Sequence, residues 1–279
     1  MFKMDGIFYN KLLCSRLITV VSLLFVVPFL SAQESSQPTN NLSTSTSTTK
    51  KTAAQQIKFT ADDDFLLSGD YYLGDMLGPG VLLLHDCSHS SKSYVTLGEL
   101  LAKKGVNALA IDFRGYGDSE STAFSHKTIK HQVKNIVSYQ AEVAMLTSYW
   151  EKDVLFAYNY LRSQIGNDQP ISIVASGCSV SEAVRLAEKM RIHSFVILSP
   201  IMSHMEKEHY KNLIDIPAYF VSSAHHADSF LTAQELFSWN GDSSSTTQVF
   251  KGVNQGHNLL RRNKFLPQNL AAWLNETMK

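Results

Sequence analysis

The sequence has no excess of charge of either sign and no internal repeat. Its 25 lysine and arginine residues balance 25 aspartate and glutamate residues, so the formal net charge at pH 7 is zero. A balanced charge argues against a nucleic-acid partner and against binding to an anionic membrane surface. No pattern recurs at the periods of solenoid proteins. With 279 residues, the chain is long enough for one domain with a large buried core.

Long apolar runs are also scarce, and the most apolar one lies near the N-terminus. The run LITVVSLLFVVPFL (residues 17–30) follows a basic start and precedes the small residues of SAQ at 31–33. It is shorter than the roughly 20 apolar residues that a membrane span needs. This order of features is typical of a secretory signal, and an uncleaved anchor is the alternative. We predict a signal peptide over residues 1–32, export to the periplasm or the extracellular space, and no stable membrane span after cleavage.

A polar segment rich in serine and threonine follows the predicted signal peptide. Residues 35–54 read SSQPTNNLSTSTSTTKKTAA. Such a composition cannot bury enough apolar surface to offset the entropy lost on folding. We therefore predict a disordered linker over residues 33–55 and a folded domain over residues 56–279.

Strand and helix patterns alternate through the rest of the chain. The run GVLLLHD (80–86) is continuously apolar, as expected for a strand buried on both faces, and YVTLGELLAKKG (94–105) carries a helical stripe of leucines. Similar pairs continue to the C-terminal helix in LPQNLAAWLNETM (266–278). The alternation predicts an α/β fold with a mostly parallel sheet of about eight strands and helices on both faces. In such a fold, ligands bind at the carboxyl ends of the strands.

Two segments carry recognisable motifs, DFRGYGDS (112–119) and GVNQGHN (252–258). The first is similar to the D-x-R-G-x-G-x-S turn of the α/β-hydrolase family, and the second resembles the catalytic-histidine loop of that family. Nearest are its compact serine esterases and dienelactone hydrolases. The resemblance covers residues 56–279 and implies the α/β-hydrolase fold, with His257 at the position of the catalytic base. It also implies a serine or cysteine nucleophile on a strained strand-to-helix turn, G-x-S-x-G.

The nucleophile turn departs from the family pattern. In ISIVASGCSVSEA (171–183), the register with small residues on both flanks places Gly177, which has no side chain, at the nucleophile position. A shift by one residue offers Cys178 but puts β-branched Val180 where the turn needs a small residue. The opposite shift offers Ser176, with Val174 on its flank. All three registers remain open from the sequence, and the one that sterics favour is inert.

The catalytic acid and the oxyanion region that the resemblance implies also depart from the family pattern. The expected acid falls near His226, and Asp228 lies two residues later. The family usually has His-Gly after the third strand, whereas this chain has Asp86 after the histidine. The backbone N–H groups of Cys87 or Ser88 would have to form the oxyanion region, and Asp86 is a further candidate for the missing acid.

Cysteine is rare: the chain has three, and Cys14 falls within the predicted signal peptide. In the fold that the resemblance implies, the third and fifth strands are neighbours, about 4.8 Å apart. Cys87 and Cys178 each follow one of these strands, and exported proteins meet an oxidising environment. We therefore predict a Cys87–Cys178 disulfide, with two free thiols as the alternative.

Histidines follow several predicted strands, at His85, His89, His225, His226 and His257, so all of them could face one pocket. No H-E-x-x-H or comparable metal-binding spacing occurs, and we predict neither a metal site nor a cofactor. Two functions remain open. The first is a non-catalytic pseudo-hydrolase that binds an unidentified small-molecule or acyl ligand. The second is an active ester or acyl hydrolase that uses Cys178 or Ser176 with His257.

Overall fold

The computed structural model of the protein describes residues 54–279. The predicted signal peptide, and the predicted linker up to residue 53, lie outside the described residues. Within residues 54–279, no helix is both long and apolar enough to cross a membrane.

One eight-stranded sheet organises the described residues. Its strands are β1 (Gln55–Thr60), β2 (Leu66–Tyr72), β3 (Gly80–Leu84), β4 (Asn107–Asp112), β5 (Ile171–Ser176), β6 (Phe195–Leu198), β7 (Ala218–Ser223) and β8 (Thr246–Phe250). The spatial order is β1-β2-β4-β3-β5-β6-β7-β8. β2 runs antiparallel to both β1 and β4, and all the remaining pairs are parallel. The prediction of a mostly parallel sheet of about eight strands is confirmed.

Helices connect the strands and cover the sheet. They are α1 (Val95–Ala102), α2 (His126–Gln132), α3 (Ile136–Thr147), α4 (Trp150–Gln164), α5 (Val180–Lys189), α6 (His204–Tyr210), α7 (Ala227–Trp239), α8 (Gly256–Arg262) and α9 (Leu266–Thr277). Short 3-10 helices occur at Ser91–Tyr94, Gly117–Ser119, Gly177–Ser179 and Lys211–Leu213.

The two faces of the sheet support separate apolar cores. Successive side chains of a strand point to opposite faces, so Leu82 and Leu84 of β3 join one core, and Val81 and Leu83 join the other. Buried residues of α4 and α5 complete the first core, and those of α1 and α9 complete the second. This burial on both faces explains why the central strands are continuously apolar in the sequence.

Arg114, in the loop after β4, joins three segments of the fold. Its side chain is 1% exposed and contacts the fully buried carboxylate of Asp153 on α4, with 2.8 Å from Nη2 to Oδ1. The same guanidinium pairs with Asp63 in the loop between β1 and β2. Its Cζ lies 4.2 Å from the ring centroid of Phe65 and 4.4 Å from that of Tyr149. The arginine of the D-x-R-G-x-G-x-S motif therefore has a structural role, because it joins the loop after β4 to α4 and to the loop between β1 and β2.

Glu182, in the first turn of α5, gives the fold a dependence on pH. Burial raises the pKa of its carboxyl to about 7, and the attraction of Arg185 only partly opposes this. Because the folded-state pKa is raised, the stability that the protonated group provides is present below its ordinary pKa and is lost as pH rises through 7. We expect Glu182→Gln to increase the free energy of unfolding by about 2–3 kcal/mol more at pH 8 than at pH 5.

Urea unfolding at the two pH values measures this difference. Glu188→Gln is the matched control on the same helix. Partial burial of the Glu188 carboxyl is outweighed by hydrogen bonds from Asn212 and His209, which lower its pKa, so its replacement should give no gain at pH 8. Equal effects of Glu182→Gln at both pH values would contradict the prediction.

Candidate functional site

Loops after β3, β5, β6 and β8 meet at the carboxyl edge of the sheet and enclose a pocket of about 400 Å³. This is the edge at which parallel α/β sheets bind ligands, and the volume lies in the range of small-molecule sites. The pocket is lined by Asp86, Cys87, Ser88, His89, Ser176, Gly177, Cys178, Ser199, Ile201, Val253, Asn254, Gln255, Gly256 and Asn258.

The turn after β5 places Gly177 at its tip. Ser176 ends the strand, and Gly177 has a φ of 60°, in the left-handed region that side-chain-bearing residues avoid. The hydroxyl of Ser179 holds the turn, because it accepts a bond from the N–H of Ser176 and donates to the carbonyl oxygen of Leu84. Ser176 itself is 2% exposed, and its Oγ lies against Gly256, where an added Cβ would be 2.5 Å away. The residue at the tip of this turn therefore carries no side chain.

Asp86 occupies the space in front of Gly177. A Cβ atom added to Gly177 would lie 3.0 Å from the Cβ of Asp86, which is closer than ordinary packing allows. A serine or cysteine at position 177 would therefore require the loop after β3 to move. Asp86 therefore fits at this place because Gly177 has no side chain.

Replacing Gly177 with alanine tests this match. We expect Gly177→Ala to lower the free energy of unfolding by about 1–3 kcal/mol, because alanine is strained at positive φ and its methyl group would press on Asp86. The control is Gly241→Ala, at an exposed position where the nearest atom to an added Cβ is 3.9 Å away. Urea unfolding should separate the two variants, and equal losses would contradict the steric explanation.

The predicted Cys87–Cys178 disulfide is confirmed. The two sulfurs are bonded, the Cα atoms are 6.0 Å apart, and the bond closes a loop across 91 positions of sequence. The bond follows from the parallel pairing of β3 and β5, which places Leu84 beside Ala175 and brings the two following turns together. In this form the sulfur of Cys178 is not available as a nucleophile.

Asp86 is the acceptor at the centre of the pocket. Its Oδ1 receives a hydrogen bond from the N–H of Ser88 at 2.8 Å and one from Nδ1 of His89 at 2.8 Å. Its Oδ2 lies 3.5 Å from the N–H of His257. Because the Ser88 N–H is already bonded to Asp86, it does not point freely into the pocket as an oxyanion donor. Cys87, whose N–H is the other oxyanion candidate, also lines the pocket, and its sulfur is bonded to Cys178.

His257 is in the expected loop, but its ring faces a different cavity. Gly256 begins α8 with its Cα packed against Asp86 and Ser176, where a Cβ would overlap both side chains. Successive residues of an α-helix point about 100° apart, so the next residue turns away from the pocket. His257 lines a neighbouring cavity of about 90 Å³ that also includes Ser93, and it is not among the residues that line the main pocket. Burial lowers its pKa, and the nearby His89 lowers it further.

Asp228 forms no hydrogen bond or ion pair with His257 in the described residues. His226 caps the N-terminus of α7, where its Nδ1 accepts the N–H of Ser229, and this places Asp228 in the exposed first turn of the helix. Across residues 54–279, no hydrogen bond or ion pair joins Asp228 to a histidine. The structure therefore does not assemble Asp228, His257 and a nucleophile in one pocket.

The histidines are more dispersed than the sequence suggests. Of the five that follow strands, only His89 lines the described pocket. His85 is fully buried, donates from Nδ1 to the carbonyl oxygen of Asp86 and accepts the N–H of Phe113 at Nε2. His225 is exposed. In the described part of the chain, no group of three or more histidine, cysteine, aspartate or glutamate side chains could hold a metal ion.

Sequence reasoning missed the pairing of Asp86 with His89. The two residues are three positions apart in HDCSH, and a single turn brings the carboxylate to the imidazole. The His89 ring lies 4.6 Å, between centroids, from the His257 ring. A carboxylate that holds one ring nitrogen of a histidine is the arrangement that orients an imidazole for proton transfer. The spacing of the two residues was the available signal.

Comparison with known proteins gives structural neighbours but no sequence relatives. No protein-family model matches the chain, and no curated protein sequence matches it. The Pyrococcus furiosus esterase Pf2001 is similar in structure, with 16% identity, a TM-score of 0.58, and coverage of 81% of this chain and 93% of the esterase. A dienelactone hydrolase from Anabaena variabilis shares 12% identity, with a TM-score of 0.56 and coverage of 81% and 100%. A cold-adapted esterase from an Arctic intertidal metagenomic library shares 17%, with a TM-score of 0.58 and coverage of 81% and 94%.

These neighbours, together with the strand order, establish that the protein has the α/β-hydrolase fold. The identities lie far below the level at which activity transfers with fold, and one fold hosts many functions. The function therefore has to be argued from the pocket.

Proposed function

We propose that the protein is an exported pseudo-hydrolase, which binds a small-molecule or acyl ligand in the pocket and does not hydrolyse it. The observation that carries this proposal is Gly177 at the tip of the turn, with Asp86 filling the space in front of it. Hydrolysis in this fold needs a side-chain nucleophile at that tip. A glycine there leaves the base with nothing to deprotonate.

The neighbouring candidates support the same conclusion. The sulfur of Cys178 is bonded to Cys87, and the Oγ of Ser176 is buried beneath Gly256. The ring of His257 lines a separate cavity. Within residues 54–279, no hydrogen bond joins the Oγ of Ser176 to a histidine, and Cys178 has no free thiol for an imidazole to activate.

The sequence and the disulfide together support export. Residues 1–32 have the order of a secretory signal, and a Cys87–Cys178 bond is stable in an oxidising compartment. The proposed location is the periplasm or the extracellular space.

An esterase assay tests the absence of catalysis. We expect the full chain to hydrolyse p-nitrophenyl esters, from acetate to octanoate, no faster than its His257→Ala variant. Loss of a triad nucleophile typically costs about 10⁶ in kcat, which leaves only slow residual turnover. Activity that Cys178→Ala abolishes and Ser176→Ala preserves would instead identify a thiol hydrolase, and the reverse pattern would identify Ser176. Either pattern would overturn the proposal.

The charge of the pocket predicts its ligand preference. Asp86 is the only acidic side chain in the described lining, and no lysine or arginine lines it. A carboxylate ligand would be repelled there, whereas an amide can donate a hydrogen bond to Asp86. We expect butyramide to bind at least about fivefold more tightly than butyrate, which is similar in size. Ligand-observed NMR measures both affinities.

Asp86→Asn is the matched control, because it removes the charge with little change in side-chain volume. The preference for butyramide should then disappear. Equal binding of the two probes to the wild-type protein would show that Asp86 does not select the ligand.

A further inference from the structure

The disulfide lies in the wall of the pocket, where a small molecule can reach it. Cys87 and Cys178 are each partly exposed, and both line the 400 Å³ cavity. A structural disulfide in a protein core is inert because no thiol can approach it, whereas accessible disulfides exchange with thiols. This bond is therefore open to attack from the pocket.

A candidate base lines the same pocket as the bond. His89 is two residues from Cys87, lines the same pocket, and is held by Asp86 at 2.8 Å from Nδ1 to Oδ1. Because the carboxylate accepts the Nδ1 proton, Nε2 is the nitrogen left to take a proton in the neutral ring. The other titratable groups close to His89 are the rings of His257 and His85.

The two sulfurs differ as leaving groups. Cys178 lies in the short helix Gly177–Ser179, which continues directly into α5. The positive end of a helix stabilises a thiolate, and a disulfide opens faster when the departing sulfur is the more acidic one. The next helix after Cys87 begins only at Ser91, four residues further on, so Cys87 does not lie within a helix start. The favoured attack is therefore on the Sγ of Cys87, with Cys178 leaving.

We propose that the pocket is a site of thiol–disulfide exchange with a low-molecular-weight thiol. His89 takes the proton of the incoming thiol, and the thiolate attacks the Sγ of Cys87. A new sulfur–sulfur bond forms between the small molecule and Cys87 as the Cys87–Cys178 bond breaks. The electron pair of the broken bond leaves on Cys178, which can recover the proton from His89. This activity does not rest on the ligand-binding function proposed above.

The test uses the oxidised full chain and reduced glutathione, without denaturant. Reaction mixtures are quenched with acid, free thiols are alkylated, and peptides are mapped by mass spectrometry. We expect one glutathione on Cys87 and an alkylated Cys178. His89→Gln should lower the initial rate at pH 7 by at least about tenfold, since positioned bases typically contribute 10²–10⁴. At pH 9, where glutathione is largely ionised without help, the difference should nearly vanish.

Two further variants keep the test specific. Asp86→Asn, which loses the group that orients His89, should slow the reaction at pH 7 in the same way. His226→Gln alters a histidine that caps α7 outside the pocket and should react like the wild-type protein. Glutathione attached to Cys178, reaction only after unfolding, or an equal slowing of His89→Gln at both pH values would each overturn the proposal.

Discussion

Replacing Arg114 with alanine should lower the free energy of unfolding by about 3–5 kcal/mol. The guanidinium is 1% exposed, and its removal would leave the fully buried carboxylate of Asp153 without its partner. The variant would also lose the stacking of the guanidinium between Phe65 and Tyr149. Urea unfolding, monitored by circular dichroism, measures the change.

An exposed arginine provides the comparison. Arg185 is 38% exposed, and its nearest carboxylate oxygens lie 3.6–3.9 Å away. Arg185→Ala should cost less than about 1 kcal/mol, because solvent screens such pairs. Arg114→Lys should recover only part of the loss, since lysine keeps the charge but lacks the planar fork that binds two carboxylates. A loss below about 1 kcal/mol for Arg114→Ala would contradict the structural role.

Removing the disulfide should have an effect of similar size. The double variant Cys87→Ala, Cys178→Ala is expected to lose about 4–5 kcal/mol in the chain-entropy model, because the bond closes a long loop in the unfolded chain. Urea unfolding of the oxidised wild-type protein and of the double variant measures the difference.

Reduction supplies the control for this experiment. Dithiothreitol should destabilise the wild-type protein and leave the double variant unchanged. Peptide mapping of the unreduced protein should recover Cys87 and Cys178 as one linked pair. Separately alkylated peptides, or a loss below about 1 kcal/mol, would count against the bond and its contribution.

Much of the architecture was readable from the sequence because local patterns and tertiary packing agree. The pattern WEKDVLFAYNYLRSQ predicts a helix and forms α4 over Trp150–Gln164. The run ISIVA predicts a strand and lies within β5, buried on both faces. That the third and fifth strands are neighbours came from the resemblance to a known fold, because pairing between distant segments leaves no local signal.

The candidate site could be predicted only in part from the sequence. The disulfide could be predicted because two neighbouring strands are each followed, within three residues, by a cysteine. The orientation of His257 could not, because it depends on the residue at which α8 begins and on the packing of Gly256 against Asp86. The position of Asp228 likewise depends on His226, which is the N-cap residue of α7. Counting residues from a motif does not predict where that helix begins.

The covalent link between the loops after β3 and β5 has a mechanical consequence. The loop after β3 and the turn after β5 cannot separate while the sulfurs are joined, and Ser179 adds a hydrogen bond to Leu84 between the same two segments. A molecule that pushes on one of them must displace the other. The two segments therefore move together at the mouth of the cavity. Their backbone amides at 86–89 and 177–180 should exchange with deuterium as one cooperative unit until the disulfide is reduced.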